Sequence, residues 1–284
     1  MKTLENSILI ADSGSTKTHW GVISCGQLVQ EVLTKGMNPY FQTPEEMGEE
    51  IANVLIPQLG SNRFSEIHFF GAGCSPEKIP AVREVLNTCF DVEREIEVDT
   101  DMLAAAKGLC GHSSGIVCIL GTGSNSCFYD GKKMVNNVSP LGFILGDEGS
   151  GAVLGKLLVG DILKNQMDIA LKEKFLKQFN LTQAEIIEKV YRQPFPNRFL
   201  ASVSPFLAQN IQEPGIYPLV LNAFKAFLNR NVMQYDYRNN KAHFVGSVAH
   251  HYKEVLLAAA KEVGVEIGTV IQSPMEGLYA YYSD

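Results

Sequence analysis

Two stretches of this chain share one plan: an apolar run too short for a helix, a turn of glycine and hydroxyl residues, and a second run able to return as a strand. The first is ILIADSGSTKT at 8–18, followed by HWGVIS, and the second is IVCILGTGSNS at 116–126, followed by CFYDGKKMV. Short apolar runs bounded by turn residues read as buried strands. The turns offer backbone N–H groups, hydroxyls and close backbone approach, which suit an anion such as phosphate. One such turn alone fits an ordinary hairpin equally well, because Asp, Ser and Gly favour turns on conformational grounds. The recurrence points to one phosphate-gripping hairpin per domain of a duplicated architecture.

The chain has 284 residues, 45% of them hydrophobic, which is enough for two ordinary cores. A net charge of −7 and no Lys or Arg cluster argue against a nucleic-acid partner. No apolar run approaches the length of a membrane span, and MKTLENSILIAD does not read as a secretory signal. The expected location is the cytoplasm. Cysteines at 25, 74, 89, 110, 118 and 127 lack C-x-x-C spacing and read as reduced core thiols rather than zinc ligands. His250 and His251 are adjacent, so on a helix they point in different directions and share no metal.

The coarse pattern is α/β. Strands are predicted near 6–12, 18–24 and 28–33 as antiparallel neighbours, then a helix from Thr43-Pro44-Glu45-Glu46, where Thr43 and Glu46 can form a capping box. A buried strand follows at 66–73, a helix from Ser75-Pro76 to about Cys89, and a half-exposed strand at 92–98. Asp99, Thr100 and Asp101 end that strand and lead into a small-residue helix. The second half repeats the opening with strands near 115–120, 124–129 and 133–138, then turns helical to about 235, with a second capping box at Thr182 and Glu185. Leu221, Phe224, Phe227 and Leu228 recur at helical spacing and read as a core stripe. A strand at 242–246, a helix over 248–263, the strand VEIGTVI and a last helix from Pro274 close the chain.

The order DSGSTKT (12–18), GMN (36–38), TDMLAA (from 100), GTGSN (121–125), LGDEGSGAVLG (145–155), GSVAHH (246–251) and SPMEGLYA (273–280) resembles the actin, sugar-kinase and heat-shock chaperone superfamily. Within it, the resemblance is to the N-acetylglucosamine kinase and dehydratase-activator ATPase family, and it covers essentially the whole chain. It implies two ribonuclease-H-like domains in the actin-like ATPase fold, with an ATP cleft between them. These would be residues 1–107 and 108–272, the second with a helical insertion, and a C-terminal helix at about 273–284 packing back on the first. No G-x-x-x-x-G-K-[ST] motif occurs, so a P-loop is not the phosphate site.

By motif match the resemblance implies that Asp12 holds Mg²⁺ through water, while Gly14, Ser15, Thr16 and Lys17 contact the β- and γ-phosphates. Thr122 and Gly123 would approach the phosphates from the other side, and Gly246 with Ser247 would sit by the adenosine. It carries sugar contacts onto Asn38, Ser124, Asn125, Gly142 and Asp147, and the catalytic base onto Asp101. From the residues alone, Asp101 serves equally as a helix N-cap, with Asp99 as a nearby competitor for the base. Asp147 could be a solvated loop acid and Glu148 a first-turn dipole partner, with Ser150 capping the next helix. The activity implied is ATP-dependent phosphorylation of an amino-sugar hydroxyl, most simply O6 of N-acetylglucosamine, by a homodimer. Two alternatives stand beside it. One is an ATPase that activates an iron–sulfur dehydratase or reductase through thiolates at Cys110, Cys118 and Cys127; the other is a non-catalytic sugar sensor.

Overall fold

The computed structural model describes residues 7–14 and 16–283. They form two compact units. One holds the described residues up to Ser113, with Gly131–Lys133 and those from Pro274 onward; the other holds Ser114–Asp130 and Met134–Ser273.

The first unit is organised by a five-stranded sheet of β1 (Ser7–Ser13), β2 (Lys17–Ser24), β3 (Gln27–Lys35), β4 (Arg63–Gly71) and β5 (Asp91–Thr100) in the order β3-β2-β1-β4-β5. The three opening strands run antiparallel to their neighbours, while β1, β4 and β5 are parallel. The second unit repeats this plan with β6 (Gly115–Leu120), β7 (Ser124–Tyr129), β8 (Met134–Val138), β9 (Ala242–Val245) and β10 (Ile267–Ile271) in the order β10-β9-β6-β7-β8. β6, β9 and β10 are its parallel strands. Each sheet is therefore a hairpin meander extended by two parallel strands, the ribonuclease-H-like arrangement that the family resemblance implies.

Alternation sorts the first sheet into two faces. Leu9, Ala11, Trp20, Ile67, Phe69 and Val98 join a core against the helices Pro44–Glu50 and Ile79–Cys89. The opposite face receives the helix Asp101–Cys110 and the closing helix Met275–Ser283, which pack on each other. Two glycines permit that contact: a methyl group on Gly277 would overlap the Gly108 carbonyl, and one on Gly108 would meet the Pro274 carbonyl at 2.6 Å. Gly277→Ala is expected to lower stability by about 1–3 kcal/mol, as overpacking does. Denaturant unfolding measures it, and an unchanged midpoint would contradict the packing.

Local cap chemistry places several helix starts. Thr43 with Glu46 and Thr182 with Glu185 form both capping boxes, and Ser150 caps Gly151–Leu163 by accepting from the Val153 N–H. Three expectations shift. The helix expected from Ser75-Pro76 begins at Ile79, because the Ser75 carbonyl accepts from the Lys78 and Ile79 N–H groups and closes a turn first. The helix expected over 248–263 is two, Ser247–His251 and Lys253–Val263. It breaks at Tyr252, whose hydroxyl is buried and bonds to the Ser204 carbonyl and the Ala208 N–H. Cys25 is exposed in a turn rather than in a core; Cys74, Cys118 and Cys127 are buried and Cys89 and Cys110 partly so. The stripe on Ile216–Arg230 packs as expected, with Phe224, Phe227 and Leu228 fully buried and Leu221 partly so. His250 and His251 are exposed, with their rings edge to face.

Candidate active site

In the first unit, the acidic candidates gather at the carboxyl ends of the parallel strands, where open α/β sheets bind ligands. Asp12 is the penultimate residue of β1 and pairs in register with Phe70 of β4, which pairs with Asp99 of β5. Asp101 follows as the first residue of its helix. Thr100 is that helix's N-cap, its hydroxyl accepting from the Leu103 N–H. The capping alternative for Asp101 is thereby removed. Asp99 is drawn away, because its Oδ1 accepts from the Thr100 N–H at 2.7 Å; Asp99 lies within β5 while Asp101 begins a helix, so strand alternation does not relate the two.

Burial dominates the titration of this pair. It pushes the Asp12 carboxyl up to about 7, helped by the neighbouring Asp101 and opposed by Lys17. It pushes Asp101 up to about 6, against the pull of the Met102 and Asp101 N–H groups. The helix N-terminus thus eases ionisation of Asp101 without restoring the ordinary value.

Two neighbouring half-buried carboxylates opposed by one lysine make an oxygen-rich, electron-rich site, the donor chemistry that hard divalent cations select. The residues present fit a hydrated Mg²⁺ at Asp12. The linkage can be signed: an acid whose pKa is raised on folding binds more protons in the native state between about pH 4 and 7, so stability falls as pH rises through that window. Asp12→Asn is therefore expected to raise the metal-free melting temperature at pH 8 and to leave it unchanged at pH 4. Calorimetry at both values checks this, and no pH dependence of the difference would contradict it.

The turn after β1 is held from inside. Ser13 Oγ accepts from the Met37 N–H at 2.9 Å, donates to the Met37 carbonyl and lies 2.7 Å from Thr18 Oγ1. This hydroxyl is buried and committed to structure, so it is not offered to an anion as its place in the turn suggested. Its effect is to tie the GMN segment to the phosphate-turn candidate, which brings Asn38 beside it. Asn38 is buried, its Oδ1 accepting from the Tyr40 N–H. Gly14 closes the turn on the Lys17 carbonyl, Thr16 is exposed and its carbonyl takes the Gly36 N–H, and Ser15 lies outside the described residues. Ser13→Ala, which strands the buried Met37 N–H, is expected to cost about 1–3 kcal/mol. A melting temperature equal to that of the unaltered protein would contradict this.

In the second unit the GTG turn and the 140–151 loop are one structure. The Gly151 and Ala152 N–H groups donate to the Gly121 and Thr122 carbonyls at 2.8 and 3.1 Å. Asp147 Oδ1 accepts from the Ser124 N–H at 3.3 Å, and Gly123 leaves room for it, since a methyl group there would lie 3.2 Å from Oδ2. The Asp147 N–H closes the loop on the Pro140 carbonyl, with exposed Gly142 at the loop's other end. Asp147 is not a solvated loop acid: burial pushes it up to about 6, against the pull of the Ser124 N–H. Glu148 precedes the helix cap and pairs with Arg230 at 3.0 Å, so it is no first-turn partner. Asn125 Oδ1 is taken by the Ser126 N–H and Asn137, which leaves its amide N–H₂ as the donor it can offer. Gly246 has φ of +120° and sits against the Leu120 carbonyl, where any side chain would clash, and it precedes Ser247 at the start of a short helix. GTG, Asp147 and Gly246-Ser247 thus meet at the carboxyl ends of β6 and β9.

No protein-family model and no curated protein matches the chain. Among solved structures, a candidate N-acetylglucosamine kinase from Porphyromonas gingivalis is 50% identical, with 97% of this chain and 98% of that one aligned at a TM-score of 0.94. The chain belongs to the N-acetylglucosamine kinase and dehydratase-activator ATPase family. A candidate N-acetylglucosamine kinase from Chromobacterium violaceum shares the fold at 14% identity and a TM-score of 0.77, covering 97% and 98% of the two chains. A ROK-family glucokinase from Streptomyces griseus, solved with glucose and AMPPNP, shares it at 13% identity and 0.54, with 97% of each chain covered.

This member of the family keeps Cys118 and Cys127 fully buried in adjacent strands, and Cys110 ends a helix. Buried thiols of this kind do not present ligands for an exposed cluster, and the iron–sulfur activator reading is not favoured. No helix among the described residues is long and apolar enough to cross a membrane. Sequence reading missed one cluster beside the site: Lys107, buried, donates to Glu97 Oε1 and to the Tyr282 hydroxyl, both at 2.7 Å. A lysine inside MLAAAKGLC was the available signal.

Proposed function

We propose that the chain is an ATP-dependent carbohydrate kinase that transfers the γ-phosphoryl group to a hydroxyl of an amino sugar, O6 of N-acetylglucosamine being the leading acceptor. The observation that carries it is the pair Asp12 and Asp101, two half-buried carboxylates with raised pKa values at one sheet edge, in a chain half identical to a candidate N-acetylglucosamine kinase. In this reading the acceptor oxygen attacks the γ-phosphorus, the bond to the β,γ-bridging oxygen breaks, ADP departs, and Asp101 takes the hydroxyl proton. Positioning and electrostatics supply most of the catalysis.

Gly14, Thr16 and Lys17 are assigned to the β- and γ-phosphates, Thr122 and Gly123 likewise, and Gly246 and Ser247 to the adenosine. Ser15 is assigned with the phosphate turn by its motif. A Mg²⁺ held by Asp12 through water would neutralise polyphosphate charge. Asn38, Ser124, Asn125, Gly142 and Asp147 are assigned to the sugar, where amide and carboxylate groups match its hydroxyls and acylamide. The enzyme is proposed to act in the cytoplasm as a homodimer, by family resemblance.

A base must be ionised to act, so kcat/KM for the sugar is expected to rise with pH through about 6 and to fall below it. The neighbouring Asp12 titrates with Asp101, so the observed value belongs to the pair. A flat profile from pH 5 to 8 would remove the Asp101 carboxylate from the rate-determining chemistry.

A further inference from the structure

His19 is the cross-strand partner of Asp12 in the β1–β2 ladder. Such partners project from one face of the sheet, with Cβ atoms roughly 5 Å apart. The same face receives Glu31 from β3 and Tyr279 from the closing helix. Gly21, two residues beyond His19 on β2, makes the space for Tyr279, since a methyl group there would overlap its hydroxyl. His19 Nε2 lies 2.9 Å from Glu31 Oε1, and the Tyr279 hydroxyl donates to the same oxygen at 3.1 Å. Burial, Glu31 and the charge of Asp12 together raise the Tyr279 hydroxyl, so the aromatic residue and Asp12 feel one another.

This arrangement fixes the imidazole's chemistry. A carboxylate only accepts hydrogen bonds, so Nε2 carries a proton, and in the neutral ring Nδ1 is left as an acceptor. His19 keeps about a quarter of its side chain exposed, 24%, which leaves a way for water to reach the ring. A carboxylate that takes one ring N–H fixes a histidine's tautomer and orientation, and hydrogen-bonding partners beyond the direct ligands tune a metal site.

We propose that His19 is a positioning residue for the hydrated cation at Asp12: Nδ1 accepts a hydrogen bond from a cation-bound water, while Glu31 and Tyr279 fix the ring's tautomer and plane. This rests on the reading that Asp12 carries the cation. Outer-shell partners of this sort alter metal affinity by about 10–100-fold when removed.

The test uses the full chain with ADP at pH 8 and Mn²⁺ as the probe, free Mn²⁺ being counted by electron paramagnetic resonance. His19→Leu is expected to weaken Mn²⁺ binding about tenfold or more. His19→Asn, whose amide oxygen can take the place of Nδ1, is expected to recover most of it. ADP affinity in EDTA is expected to be unchanged in both. Mn²⁺ affinity of His19→Leu within about twofold of the unaltered protein overturns the inference, as does equal weakening by Leu and Asn, or a parallel loss of metal-free ADP binding. Asp12→Asn separates the two claims. If it releases Mn²⁺ while His19→Leu does not, only the role of His19 fails; if it binds Mn²⁺ normally, the assignment of Asp12 and the inference fall together.

Discussion

Asp101→Asn is expected to lower kcat by about 10²–10⁴-fold, the usual contribution of a positioned general base, with ATP affinity little changed. The same substitution should leave stability intact or improved at pH 8. Thr100 supplies the cap of the Asp101 helix, so no cap is lost. Burial lifts Asp101 to about 6, so its charge at pH 8 opposes folding, and the amide removes that charge. The pairing of the two outcomes is what discriminates. A structural acid would give the reverse pattern, a lower melting temperature with partial turnover. Near-normal turnover in Asp101→Asn would take this residue out of the mechanism, whatever its effect on stability.

The second large effect concerns what holds the helix that carries Asp101. Lys107 lies on that helix with its ammonium between Glu97 and Tyr282 and near the rings of Phe70 and Tyr281. Glu97 also bonds His68 at 2.8 Å and accepts from the Tyr282 hydroxyl at 2.7 Å, and His68 stacks on Tyr282 with ring centroids 4.0 Å apart. Lys107→Met removes one partner of a largely buried ion pair and strands the other. A cost of about 2–4 kcal/mol is expected, somewhat below a fully buried pair because Glu97 keeps some exposure. Adding Glu97→Gln should recover part of it, which a double-mutant cycle measures.

The acid limb offers an independent check. Burial pushes Glu97 up, but hydrogen bonds from His68 and Lys107, the ammonium charge and the Tyr282 hydroxyl outweigh it and hold the carboxyl at about 2. A depressed carboxylate stabilises the fold above its ordinary value and loses that contribution as pH falls toward 2. The unaltered protein should therefore lose stability between about pH 4.5 and 2 more steeply than Lys107→Met. Parallel curves would mean that the cluster is not holding Glu97 down.

What the sequence disclosed was the local part of the structure. Hairpins around 8–24 and 116–129, both capping boxes and the Ser150 cap follow from neighbouring residues whose spacing is their geometry. The parallel pairing of β1 with β4, and of β6 with β9, joins residues far apart in the chain, and only the resemblance implied it. The break at Tyr252 was invisible because its cause is a hydroxyl reaching Ser204, 48 residues away. Ser13 lies in the hydroxyl-rich turn, but strand alternation turns it inward onto Met37, a contact 24 residues away that its neighbours do not signal. Glu31 and Tyr279 meet across 248 residues, and nothing in either local context marks them as partners. The proposed site residues sit on motifs visible in the sequence; the side chains proposed to orient them come from three strands and the closing helix.

The most direct test of the kinase reading is an acceptor screen. Purified protein with Mg-ATP is offered N-acetylglucosamine, glucosamine, N-acetylmannosamine and N-acetylmuramic acid, with ADP and sugar phosphate both measured. The expected result is ADP released mole for mole with a phosphorylated amino sugar, fastest for N-acetylglucosamine and bearing phosphate on O6. The absence of sugar-dependent ADP with every acceptor, from protein that still binds nucleotide, would contradict it.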